Sequence, residues 1–184
     1  YNTFGVNNTR RYQAYLATTE TQGPISSTPS DDDLPTRGAI WSFLRYAADH
    51  LPAGTENSFW FNLVNSSTTG VANLTRALGA APDSLMRDWA ISVFLDDNAP
   101  SVDARFQQPS WNMRSLTTNN GSGVAFQLFT RILHDGSTSN FQMVSNGVAF
   151  LRFTVPSGQD ALLALTSGGG PLPSAVQLAI VRVH

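Results

Sequence analysis

The sequence predicts an α+β chain: a small helical bundle over residues 1–105, then an antiparallel β-sandwich or jelly-roll-like module over residues 106–184. Three observations carry that expectation. Between Leu34 and Asp97, apolar residues recur at three- and four-residue steps, the spacing of one face of an α-helix. Past Pro100 the period falls to two, with Gly, Ser and Asn clusters between the apolar runs, as in short strands joined by turns. The length of 184 residues suits one unit or two small ones, since domains commonly run about 100 to 150 residues.

Residues 1–16, with Arg10, Arg11, Tyr12 and Tyr15, read as one short helix, and residues 17–33 as a Thr/Ser/Pro/Gly-rich loop ending in three aspartates. An amphipathic helix follows from Leu34, with Ile40, Trp41, Phe43, Leu44, Ala47, Ala48 and Leu51 on one stripe. Asp33 supplies its N-cap, Pro35 suits its first turn, and Pro52 with Gly54 closes it. A second helix over 56–64 offers Phe59, Trp60, Leu63 and Val64 to the core. A third, over 71–78, is capped by Thr69 and stopped by Gly79; a fourth, over 84–97, is capped by Asp83 and buries Leu85, Met86, Trp89, Ala90, Val93 and Phe94. Residues 124–133, 148–155 and 175–183 alternate as strands, with turn signals at 134–137, 146–147, 156–158 and 167–171. Five or six such strands are what an antiparallel sandwich needs.

Charged residues make up 13% of the chain, about half the usual share, while hydrophobic residues at 41% are enough for a core. Polarity comes instead from Ser, Thr and Asn, together 49 of 184 residues. All 11 basic residues are Arg, and the formal net charge is -2. Scattered Arg in a slightly acidic chain does not make the clustered basic face of a nucleic-acid binder or a polybasic membrane anchor. With no Cys, disulfides, thiolate metal sites and thiol nucleophiles are all excluded. The longest apolar runs, such as 161–165, fall far short of the roughly 20 residues that cross a bilayer.

A zinc hydrolase needs imidazoles at close helical spacing plus an open position for water. His50, His134 and His184 include no such pair; His50 reads as capping or solvent-exposed at the polar end of its helix, and the other two as exposed. Asp31, Asp32 and Asp33 are the only metal-ligand candidates. Their spacing does not match a calcium loop, so a solvated loop leading into an N-cap is the stronger reading. Asp96 and Asp97 end a helix, where the dipole opposes them, and Arg105 or Arg114 is their expected partner. Ser is abundant, but no Gly-x-Ser-x-Gly turn is present. Ser167-Gly-Gly-Gly170 leads into Pro171 rather than into a phosphate-binding helix. Trp41, Trp60 and Trp89 read as core. Trp111, with Phe106 and Pro109 in a Pro/Gln-rich linker, reads as a plug between the two halves or a stacking platform.

Thr36-Arg-Gly-Ala-Ile-Trp-Ser-Phe-Leu-Arg-Tyr46, Phe59-Trp60 with Leu63-Val64-Asn65-Ser66, and Asp88-Trp-Ala90 with Asp96-Asp97 resemble the segment downstream of the zinc site in secreted bacterial hyicolysin-type metallopeptidases. The resemblance spans residues 1–115 and, more loosely, the tail ending Ala179-Ile-Val-Arg-Val183. It implies a helical lobe, a β-rich tail and an exported protein processed from a longer precursor. The family's His-Glu-x-x-His helix and its third-ligand helix have no counterpart in these residues, so no catalytic role transfers to any position.

The function expected from all this is a non-catalytic structural or binding module, periplasmic or secreted, without a cofactor or a transmembrane segment. It would dock as an extrinsic accessory subunit on a larger, membrane-embedded protein assembly. Interface candidates are Trp111, Phe106, Arg105, Tyr12 and Tyr15. The alternatives are the C-terminal part of a zinc metallopeptidase and a carbohydrate-binding β module that uses Trp111.

Overall fold

A computed structural model describes residues 2–25, 32–98, 102–119 and 126–183. Its first element, α1 (Asn2–Leu16), packs along α2 (Leu34–Asp49). Asn8, Thr9, Tyr12, Tyr15 and Leu16 are buried, at the steps that keep side chains on one helix face. The two helices meet at Gly38, where an added Cβ would stand 2.1 Å from the Arg11 carbonyl oxygen. Only a residue without a side chain allows the backbones that close.

The start of α2 follows the local signals. Asp33 is extended and its Oδ1 accepts from the Thr36 N–H at 2.9 Å, with Pro35 in the first turn. The face of α2 that reaches the core is rotated from the expected stripe. Thr36, Gly38, Ala39, Ser42, Phe43, Tyr46, Ala47 and Ala48 are buried, whereas Ile40, Trp41 and Leu44 are only half-buried. The contact with α1 places small residues at the crossing, Gly38 against the Arg11 carbonyl above all.

Three further helices follow: α3 (Glu56–Val64), α4 (Gly70–Leu78) and α5 (Asp83–Leu95). Of the apolar residues expected to reach the core from α3 only Phe59 is buried, and Val64 is exposed. Gly79 ends α4 with φ 73°, the left-handed cap that glycine accommodates without strain. In α5 the cap position is Pro82, with Asp83 inside the first turn, and the buried residues are Trp89, Ser92 and Val93. Trp89 is the centre of the core: its ring stacks on Tyr15 at 5.5 Å and meets Phe43 edge-on at 5.6 Å. Its indole N–H donates to Ser42 Oγ at 3.1 Å. A single 3₁₀ turn (Ala104–Phe106) and a short helix α6 (Met113–Asn119) lie in what the sequence presents as a linker.

The antiparallel β-sandwich expected over 106–184 is not formed. Among the described residues the sheet consists of β1 (Arg131–Ile132) and β2 (Leu151–Arg152), paired in parallel with Arg131 opposite Leu151. One isolated bridge joins Ser167 and Gly170. Alternation assigns side chains to faces but leaves the choice of ladder partner to distant residues. Here much of the backbone pairing runs to the end of α1 and the turn beyond it. Phe129, Val148 and Val144 donate to the carbonyls of Leu16, Thr19 and Glu20 at 2.8, 2.7 and 3.0 Å. The Leu16 bond also satisfies one of the carbonyls that a helix end leaves open. Arg131 clasps Glu20 through two bonds of 2.6 and 2.7 Å, and Gly147 passes so near that a Cβ there would lie 2.4 Å from the Glu20 carbonyl oxygen. No helix of the described residues is long and apolar enough to cross a membrane.

Candidate functional site

Clefts among the described residues of the helical part include two that bear on function. The first, of about 280 Å³, is lined by Trp41, Leu44, Arg45, Trp60 and Trp111. α2 supplies Trp41, Leu44 and Arg45, α3 supplies Trp60, and the turn before α6 supplies Trp111. Trp111 meets Trp41 edge-on at 5.9 Å, and Trp41 meets Tyr12 edge-on at 6.3 Å, so aromatic contact runs unbroken from the core to the cleft wall.

Arg45 is fixed at the edge of this cleft. Its Nε and one terminal nitrogen donate to Asp49 Oδ1 at 2.9 and 2.6 Å, and the other terminal nitrogen donates to Glu56 Oε1 at 2.6 Å. The same Glu56 oxygen accepts from the Trp60 indole N–H at 2.9 Å. The guanidinium lies 5.8 Å from the Trp60 ring centroid. Burial works against the charge of Arg45, but the hydrogen bonds to Glu56 and Asp49 outweigh it and raise its pKa. Bonds from Arg45 and then Trp60 hold the Glu56 carboxyl below its ordinary value. The cleft is therefore apolar on its faces and ionic on one edge.

The second cleft, of about 350 Å³, lies beyond the end of α5 and includes Asp96, Asp97, Gln107, Gln108 and Asn112. Asp96 Oδ1 accepts from the Gln108 N–H at 3.0 Å, and burial raises its pKa. Arg114 reaches this helix end as expected, but to its carbonyls: it donates to Asp96 O at 3.0 Å and Phe94 O at 2.6 Å. A cation on these carbonyls answers the negative end of the α5 dipole.

Asp31 lies outside the described residues. Asp32 is exposed and ion-paired to Arg37 at 2.7 Å, which holds its carboxyl below the ordinary range, and Asp33 is the N-cap. Among the described residues no group of three or more His, Asp or Glu could hold a metal. His50 caps α2, its ring stacked on Tyr46 at 4.1 Å; His134 is exposed in its turn; His184 lies outside the described residues.

Of the interface candidates, Tyr12 and Tyr15 require correction. They are 1% and 0% exposed, packed between α1 and its neighbours, and offer no surface to a partner. Burial pushes both hydroxyls well above the ordinary tyrosine pKa. Arg105 is exposed and Phe106 half-buried beneath it, with the guanidinium 4.6 Å from the ring; the Arg105 carbonyl accepts from the Tyr46 hydroxyl. Arg105 sits against the end of α2, and neither residue lines either cleft, although Phe106 adjoins Gln107 of the second. Trp111 alone of the five lines one. Its companions Trp41 and Trp60, read from spacing as core, and Arg45 are the functional candidates that the sequence reading missed. A usable signal was present: Trp41 and Arg45 stand four residues apart on α2, and Glu56 and Trp60 four apart on α3.

Comparison with protein-family models, with curated proteins and with solved structures finds no match.

Proposed function

We propose that this chain is a non-catalytic binding module that docks outside the cytoplasm, as an extrinsic subunit, on a larger protein assembly. The observation that carries the reading is the state of residues 153–183. They form no strand ladder, being irregular chain with turns at 157–158, 168–169 and 174–175 and one bridge between Ser167 and Gly170, and many of their large apolar side chains face solvent: Leu162 is 95% exposed, Ile180 86% and Leu178 63%. Between Arg152 and Arg182 the one charged residue is Asp160.

An apolar segment outside any strand ladder is what a partner sheet takes up by strand addition. Main-chain bonds hold such a segment, and alternate side chains fill pockets. Low charge favours this, because uncharged groups cost less to bury at an interface than ions do. The Ser/Thr/Asn-rich, Lys-free composition supports an exported protein.

Hydrogen exchange tests the reading. In the purified chain the amides of residues 177–181 should exchange near coil rates; in the assembly isolated with the native protein they should slow by at least about tenfold. Equal protection in the isolated monomer would overturn it. Intact mass and zinc content of the native polypeptide separate it from the metallopeptidase reading. One zinc on a longer chain would favour the enzyme.

A further inference from the structure

We infer that the cleft formed by Trp41, Trp60 and Trp111 is a binding site for a neutral saccharide ring. It is independent of the C-terminal segment and uses different chemistry. Three indoles from separate elements converge on a volume of about 280 Å³. All three rings are half-buried, so each keeps part of its surface available in the cleft.

The edge of the cleft decides what the ligand is. A guanidinium has five N–H groups, and Arg45 directs three of them to Asp49 and Glu56. The other two, and Glu56 Oε2, take no partner among the described residues. Arg45 lines the cleft and is held from both sides, and Glu56 is bonded to it and to the Trp60 indole, so these polar groups stand at the edge of the indole-lined space. An aliphatic or aromatic side chain from a peptide would cover the indoles but strip water from those polar atoms without replacing it. A pyranose has an apolar C–H face for the indoles and a rim of hydroxyls that both donate and accept, so it satisfies both parts.

Charge narrows the class further. Asp49 and Glu56 against Arg45 leave the cluster one negative charge in excess, which opposes phosphates, uronates and other anionic ligands.

The test uses the full chain and three neutral trisaccharides, the β-1,4 N-acetylglucosamine, β-1,4 glucose and α-1,4 glucose trimers, with a galacturonate trimer as the anionic probe. Indole N–H signals report binding. At least one neutral trimer should shift the signals of Trp41, Trp60 and Trp111 with a Kd on the order of 10⁻⁴ M, and the galacturonate trimer should bind at least about tenfold more weakly. Trp111→Ala should weaken binding by about tenfold. Glu56→Gln, at a half-exposed side chain, should weaken it several-fold with only a small loss of thermal stability. Three results overturn the inference: silence of these indoles with every neutral trimer at about 10 mM, equal binding of the galacturonate trimer, or binding that survives Glu56→Gln undiminished.

Discussion

Replacing Gly38 by Ala sets two physical effects against each other. Gly38 lies inside α2 with helical backbone, where Ala is the better helix former by about 1 kcal/mol, so local propensity predicts a gain. The structure predicts the opposite. The new methyl would stand 2.1 Å from the Arg11 carbonyl oxygen, 2.3 Å from its carbon and 2.6 Å from the Tyr12 nitrogen, all backbone atoms of α1. No rotamer change relieves that overlap. α1 must move away from α2, and the packing of Tyr12, Tyr15 and Leu16 moves with it. Overpacking of this kind costs typically 1–3 kcal/mol and occasionally more. A rigid obstacle belongs at the upper end of that range, so after subtracting the propensity gain the net loss is about 2 kcal/mol. For a chain of this size each kcal/mol moves Tm by about 2–4 °C, so Tm should fall by about 4–8 °C. Thermal unfolding followed by circular dichroism measures it, and faster hydrogen exchange in α1 than in α4 would locate the damage. A Gly38→Ala chain as stable as the parent, or more so, would mean that α1 does not lie against α2 at this point.

The remaining predictions concern charge and capping. Glu20→Ala removes both bonds to Arg131; with Glu20 buried and Arg131 29% exposed, the loss should be about 1–2 kcal/mol, discounted from the buried-pair range. It should speed exchange of the Phe129, Val144 and Val148 amides, and unchanged protection there would count against the clasp. Asp33→Ala should cost about 1 kcal/mol through the lost N-cap, read from the urea midpoint, while Asp33→Asn should retain most of it. Asp96 has a raised folded-state pKa because burial disfavours its charge. The folded protein then holds this proton more tightly than the unfolded chain. The effect on stability is therefore most favourable at or below the ordinary Asp value of about 3.9 and declines as pH rises through the folded pKa. Asp96→Asn, whose amide oxygen can still accept from Gln108, should flatten that decline and raise stability at pH 7. A steeper pH dependence in the variant would refute the assignment.

Much of the helical part is legible because its signals are local. Asp33, Pro35 and Thr36 lie within four residues and start α2 without help from the rest of the chain, and Gly79 stops α4 by its own left-handed backbone. The cleft is not legible in the same way. Trp41, Trp60 and Trp111 come from three stretches of sequence, and periodicity marks each as apolar without saying whether it meets a neighbour or a gap. The tyrosines show the reverse error. Tyr12 and Tyr15 carry polar hydroxyls and suggest surface, yet their rings are what α1 packs against Trp41 and Trp89.

Residue type and spacing alone determined where α2 to α5 run, the Asp33 cap and the lack of thiol chemistry. Tertiary structure decided which face of α2 is buried, how Arg45 is held between Asp49 and Glu56, and whether the alternating runs become a sandwich. Helix hydrogen bonds join residues four apart, so nearby sequence is enough to specify them. Strand partners and cleft walls join residues many tens of positions apart, and here Leu16, Thr19 and Glu20 took the bonds that a sandwich would have needed.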